Sequence, residues 1–188
     1  MLAACLLGRI GGDAASARAA TSFRAAELAL AYAVAGFAKA SSRHWRSGNA
    51  FTVIAQTRMY GQPLVAALSR RHPGLGRVAG YSVVVWESLA LLALTAPPPL
   101  LYGLLIAGIG FHLGCAIVMG LNRFLWAFVA GYPAMLCTNA AIRGGLGAGT
   151  ADRVTLVAAV LAVAAMLLAG DGFRARARAV GLRVSRSS

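Results

Sequence analysis

Lys39 is the one lysine among 18 basic residues in a chain of 188, and it stands near the end of an apolar run over residues 28–40. Arginine stays charged in nearly every setting, whereas a desolvated lysine gives up its proton readily and can then act as a base. Ionisable groups are expensive in or near a hydrocarbon layer, which makes such a lysine a candidate for function. The plainer alternative is a helix-end lysine whose ammonium snorkels to the headgroups. Tyr32 and Gly36 precede it at helical spacing, so Tyr32, Gly36 and Lys39 share one face. Gly36 would let another backbone or a ligand approach that face.

Glu27 lies one turn into the same segment. Glu87, beside Trp86, lies in the middle of another apolar run. A buried carboxylate must be protonated or matched to a cation; Glu87 has Lys39, an arginine or His112 to meet. It is either a structural ion pair or part of a proton relay. His112 sits in the middle of a third apolar run, where a histidine faces the bundle interior. There it would hydrogen-bond Glu87 or shuttle protons. Lys39, Glu87 and His112 are therefore the candidate catalytic groups, with Tyr32 lining their pocket. His44 and His72 fall in a basic stretch and read as surface residues. The motifs HExxH, CxxC, GxGxxG and the P-loop are absent, as is any Ser-His-Asp pattern. The sequence offers no metal site, and Cys5, Cys115 and Cys137 lack ligand spacing.

These groups need a frame, and composition says which. The chain is 59% hydrophobic and 12% charged; a soluble domain carries roughly twice that charge fraction. An all-α, polytopic transmembrane bundle follows. Apolar segments over residues 22–40, 80–96, 100–120, 124–142 and 154–170 give about five spans. Pro97, Pro98 and Pro99 end the second and force a tight turn. Pro133 predicts a kink in the fourth. Residues 144–150 read as a flexible loop. Between the first two spans, residues 51–68 mix apolar and polar groups and read as an interfacial or re-entrant amphipathic segment. The organisation is an N-terminal segment at 1–21, a bundle at 22–170 and a basic tail at 171–188.

The net charge of +13 would suggest nucleic acid in a soluble protein. Here the arginines fall between apolar segments and in the tail, with no basic stripe of interleaved aromatics, so nucleic-acid binding is excluded. Their distribution is that of a positive-inside topology in the cell membrane, with loop 41–79 and the tail cytoplasmic. The lipid bilayer and its anionic headgroups are the expected partners.

The string Tyr32-Ala-Val-Ala-Gly36-Phe-Ala-Lys39, followed by Trp45-Arg-Ser-Gly48, resembles the HTTM domain, the membrane domain shared by vitamin K-dependent gamma-carboxylase and many bacterial proteins. A second block, from Phe111-His112 through Gly120 to Phe124-Leu-Trp126, resembles that family's histidine-bearing helix, and Trp86-Glu87 resembles its acidic position. The resemblance covers about residues 5 to 142, and by it residues 6–12 look like the remnant of an upstream family helix. It implies a quinol, either menaquinol or a vitamin K-like molecule, with Lys39 as the base toward it and Tyr32, Gly36 and Trp45 near it. The carboxylase's large lumenal domain has no counterpart in this sequence, so peptide carboxylation by this chain alone is not expected. The competing expectation is a small, non-enzymatic membrane partner of a peptide or membrane protein in maturation, export or immunity.

Overall fold

The computed structural model describes residues 13–57 and 61–184, with side chains as far as residue 167. Every regular element among the described residues is helical. The first helix, α1 (Ala14–Ser41), starts where the Asp13 side chain accepts the Ser16 backbone N–H at 2.6 Å, an N-cap that satisfies an otherwise orphaned donor. Expected to begin at residue 22, it begins eight residues earlier, so most of the described part of the segment 1–21 belongs to it. The suggested remnant at 6–12 lies outside the described residues.

Ala25, Ala29, Tyr32, Ala33, Gly36 and Ala40 form the buried stripe of α1. The alanines and Gly36 of this stripe let neighbouring helices come close. Two short helices follow, α2 (Arg43–Arg46) and α3 (Ala50–Ala55), then α4 (Pro63–Arg71). The amphipathic stretch at 51–68 is thus two short helices; Arg58 within it lies outside the described residues. Helix α5 (Pro73–Leu89) tightens into a 3-10 turn over Ala90–Leu94 before the three prolines. It starts seven residues before the expected position because Pro73 suits a first helical turn.

Helix α6 (Pro98–Met119) closes on Gly120, whose φ of 69° admits the left-handed cap, with Gly120 N–H bonded to the Ala116 carbonyl and Leu121 N–H to that of Cys115. The fourth apolar segment is broken in two, α7 (Asn122–Val129) and α8 (Tyr132–Leu146), at Ala130–Gly131. Pro133 sits just past that break, in the first turn of α8, which its missing N–H tolerates. The loop expected over 144–150 shrinks to Gly147, whose φ of 77° makes the turn alone. Helix α9 (Ala148–Val184) then continues through Arg174, Arg176, Arg178 and Arg183. The expected polar tail is helical that far, and Arg186 lies outside the described residues.

Among the described residues, four stretches are long and apolar enough to cross a membrane: Pro73–Leu94, Pro98–Met119, Asn122–Leu146 and Ala148–Leu167. The chain is a multi-pass helical membrane protein, and these stretches account for four of the five expected spans. The helix that does not qualify is α1. It carries Arg18, Arg24, Glu27 and Lys39, yet it packs against α5, the 3-10 turn, α8 and α9. A helix surrounded by protein need not be apolar on every side. The core lies along it, where Ala25, Ala29 and Tyr32 meet Ala93, Ala96, Leu101, Leu105 and Met135.

Candidate functional site

Tyr32 and Lys39 project from one face of α1, and each meets a partner from a different helix. The Lys39 Nζ donates to Glu87 Oε2 of α5 at 2.5 Å. The Glu87 side chain is 6% exposed and that of Lys39 23% exposed, so the pair is sealed on the carboxylate side and open on the amine side. The ammonium also stands 5.4 Å from the centre of the Trp45 ring, within cation–π range. Lys39 lies in the last turn of α1, where the helix dipole favours a cation.

Two helical turns earlier, Tyr32 Oη lies 2.7 Å from His112 Nε2 of α6 and 3.1 Å from Tyr132 Oη of α8. All three residues are buried. The His112 ring stacks on Phe128 at 4.4 Å and 22°, and the Tyr32 ring meets Trp86 edge-on at 4.7 Å. Trp86 is itself anchored by its indole N–H to the Leu104 carbonyl at 3.0 Å. His112 Nδ1 is buried with no hydrogen-bond partner among the described residues. The break at Ala130–Gly131 matters here, because it lets Phe128 of α7 and Tyr132 of α8 reach the same histidine.

Between the two clusters lies a cavity of about 250 Å³, lined by Tyr32, Lys39, Glu87 and His112 together with Ala31, Ala35, Phe111, Cys115, Met119, Leu121, Phe124 and Phe128. Four of the six residues singled out in the sequence therefore line one cavity. Glu87 pairs with Lys39 and not with His112; the histidine pairs with Tyr32 instead. Gly36 does not line the cavity. It lies against the α5 backbone at Glu87 and Ser88, so the close approach it permits is that of a helix. Trp45 touches the site through the Lys39 ammonium. Glu27 stands apart, in a neighbouring groove with Arg24, Leu28 and Gly131. His44 and His72 are exposed.

Sequence reasoning missed two members. Tyr132 reads as a membrane-interface aromatic, and Cys115 as a small hydrophobe. The one available signal was a tyrosine in mid-segment beside a proline that would break the helix there. Among the described residues, no group of histidines, cysteines and carboxylates could hold a metal. No protein-family model, curated protein or solved structure matches the chain.

Proposed function

We propose that the cavity binds the ring of a lipid-soluble quinol and that Lys39 exchanges protons with it. The observation that carries this reading is the convergence of Tyr32, Lys39, Glu87 and His112, from three helices, on one cavity. A buried ion pair is weak evidence for stability, because apolar residues of similar volume often do as well. Ionisable groups kept around a void are better accounted for by a ligand with polar ends.

The residues fit such a ring. Tyr32 and Lys39 are seven residues apart, about 10.5 Å along the helix, which suits a flat ring carrying an oxygen at each end. Phe111, Phe124 and Phe128 offer aromatic faces. The volume lies somewhat below the about 300 Å³ at which pockets for whole drug-sized ligands begin, so it suits a ring without its tail. A quinol would supply two ionisable hydroxyls and a two-electron couple.

The protein's own part is proton placement. As an ammonium held by Glu87, Lys39 cannot accept a proton. Transfer along the short Nζ–Oε2 contact leaves a neutral amine beside a neutral acid, a state that apolar surroundings do not penalise. Lys39 is then a base. At the other end, Tyr132, Tyr32 and His112 form a chain in which each hydroxyl can donate or accept. Reversing it exchanges the histidine tautomer, so that Nδ1 either donates or accepts. The resemblance to the HTTM domain supports the same assignment of Lys39, Glu87 and His112. The reading puts the end bearing Arg43, Arg46, Arg70, Arg71 and Arg77 in the cytoplasm, by the positive-inside rule.

The test is acylation of Lys39, the only lysine, followed by peptide mass spectrometry in nanodiscs. A short-tailed menaquinol should protect Lys39 in a saturable manner and should fail to do so in Ala35→Phe, whose side chain fills the cavity. Labelling unchanged by quinol refutes the reading. A second reading has its own observation: each polar contact joins two different helices, as structural cross-links would. Lys39→Arg separates the two, since arginine keeps the charge but is no base. Tolerance of that change in the protein's cellular role favours the structural reading.

A further inference from the structure

A second cavity, apolar over most of its lining but with several polar side chains around it, lies at the opposite end of α1 from Lys39. It measures about 250 Å³ and is bounded by Arg18, Thr21 and Ser22 of α1 and by Cys137 and Thr138 of α8. Thr138 is 6% exposed, and its Oγ1 is buried with no partner among the described residues. A buried hydroxyl without a hydrogen bond is costly and calls for an explanation. Thr155, in contrast, bonds both the Ala151 carbonyl and Thr95 Oγ1. Arg18 forms no ion pair with an acid among the described residues; the Asp13 carboxylate is engaged as the helix cap.

Position sharpens the point. Arg18 and Lys39 are twenty-one residues apart on α1, about 31 Å of helical rise, close to the about 30 Å of bilayer hydrocarbon. If Lys39 marks one edge of the hydrocarbon, Arg18 marks the other. The cavity then sits at headgroup depth in the leaflet opposite the basic helices. Thr21 already donates to the Ala17 carbonyl at 2.8 Å, so the donors left for a ligand are the Arg18 guanidinium and the Ser22 and Thr138 hydroxyls. Donors of this kind, with nothing anionic among them, match phosphate oxygens. The apolar remainder, Ala17 and Ala141, matches the carbon next to a phosphate ester.

We propose that Arg18, Ser22 and Thr138 form a binding site for a phosphate group, carried by an anionic phospholipid headgroup or free in solution. The site is independent of the quinol cavity.

The test uses the full chain in phosphatidylcholine nanodiscs doped with phosphatidylglycerol. Native mass spectrometry reads which lipid is retained, and inorganic phosphate is added to lipid-depleted protein in a parallel melting experiment. Wild type should retain phosphatidylglycerol in preference to phosphatidylcholine. Arg18→Gln should lower that retention roughly tenfold or more, as loss of a charged hydrogen bond does. Arg70→Gln with Arg71→Gln, at the other end of the bundle, should leave it intact. Should Arg18→Gln fail to fold, the isosteric Thr138→Val reads the same site. Stabilisation of wild type, but not of the variants, by inorganic phosphate alone would identify free phosphate as the source; retention of phosphatidylglycerol alone would identify the headgroup. Absence of any effect of phosphate, together with either equal retention of the two lipids or equal retention of phosphatidylglycerol by wild type and both variants, would overturn the proposal.

Discussion

Adding one methyl group at Gly36 should separate the two helices that hold the Lys39–Glu87 pair. A Cβ there would lie 2.5 Å from the Ser88 backbone nitrogen, 2.6 Å from its Oγ and 2.8 Å from the Glu87 carbonyl carbon. Comfortable heavy-atom contact is about 3.5–4.0 Å, so α1 and α5 must part by roughly 1 Å. Overpacking of this kind costs about 1–3 kcal/mol, and two of the three obstacles are helix backbone, which places Gly36→Ala near the upper figure. Alanine returns up to about 1 kcal/mol of helix propensity, leaving a net loss of about 2 kcal/mol. Reversible unfolding in detergent measures it. Gly110→Ala on α6 is the control. A Cβ there meets nothing within 4 Å, so that variant should be neutral or more stable by up to about 1 kcal/mol. Parting the helices also stretches the Lys39–Glu87 contact, so acylation of Lys39 should speed up in Gly36→Ala. Wild-type stability together with wild-type labelling would refute the reasoning.

Glu87→Leu strips the Lys39 ammonium of its partner and should cost about 3 kcal/mol, the low end for a buried pair, because Lys39 is partly exposed. Lys39→Met combined with it should recover most of that loss, and a double variant as unstable as the sum of the singles would disprove the coupling. Asn139 donates to the carbonyls of Ala93 and Ala96 at 2.9 and 3.0 Å; Asn139→Leu strands both beside the triple proline and should cost about 2–3 kcal/mol in the same unfolding assay. The Ser16 backbone N–H holds the Asp13 carboxyl below its ordinary value of 3.8. Its cap is therefore fully present above that value and lost as pH falls through the lower folded one. Amide exchange at the start of α1 should accelerate in acid, and Asp13→Asn should flatten that dependence.

The polar residues were the legible part of this chain. Lys39, Glu87, His112 and Tyr32 stand out because hydrocarbon tolerates so few such groups, and the same scarcity obliges them to find one another once the helices pack. Their pairing was less legible. Glu87 could have met Lys39 or His112, and the choice depends on which face α5 turns to α1. Gly36 decides it, by letting the α5 backbone at Glu87 and Ser88 lie directly on α1. Tyr132 escaped notice because its role depends on the break at Ala130–Gly131, and a proline predicts a kink without saying which ring it will redirect. The loop expected over 144–150 failed for a local reason: four glycines suggest flexibility, yet only Gly147 has a positive φ, and the others are compatible with helix.

The placement of α1 ties the site to the fold. A charged residue in the middle of a lipid-facing helix costs about 2.5–3.5 kcal/mol, and α1 carries several. It avoids much of that cost by running among the other helices, with Ala25 and Ala29 fully buried. The outer helices each contribute a single polar partner: Glu87 from α5, His112 from α6 and Tyr132 from α8. Damage to one outer helix should therefore stay local, whereas damage to the α1 seam should reach both clusters. The nitrogen resonances of His112 report on this directly, since they follow its tautomer and its bond to Tyr32. Glu87→Leu should leave them where they are in wild type, because the Glu87 side chain takes no part in the Tyr32–His112 bond and α5 meets that cluster only through Trp86. Gly36→Ala should move them, because displacing α1 carries Tyr32 away from α6. Shifted resonances in Glu87→Leu would mean that the two clusters are one coupled network, and that α1 is not the element that independently positions each.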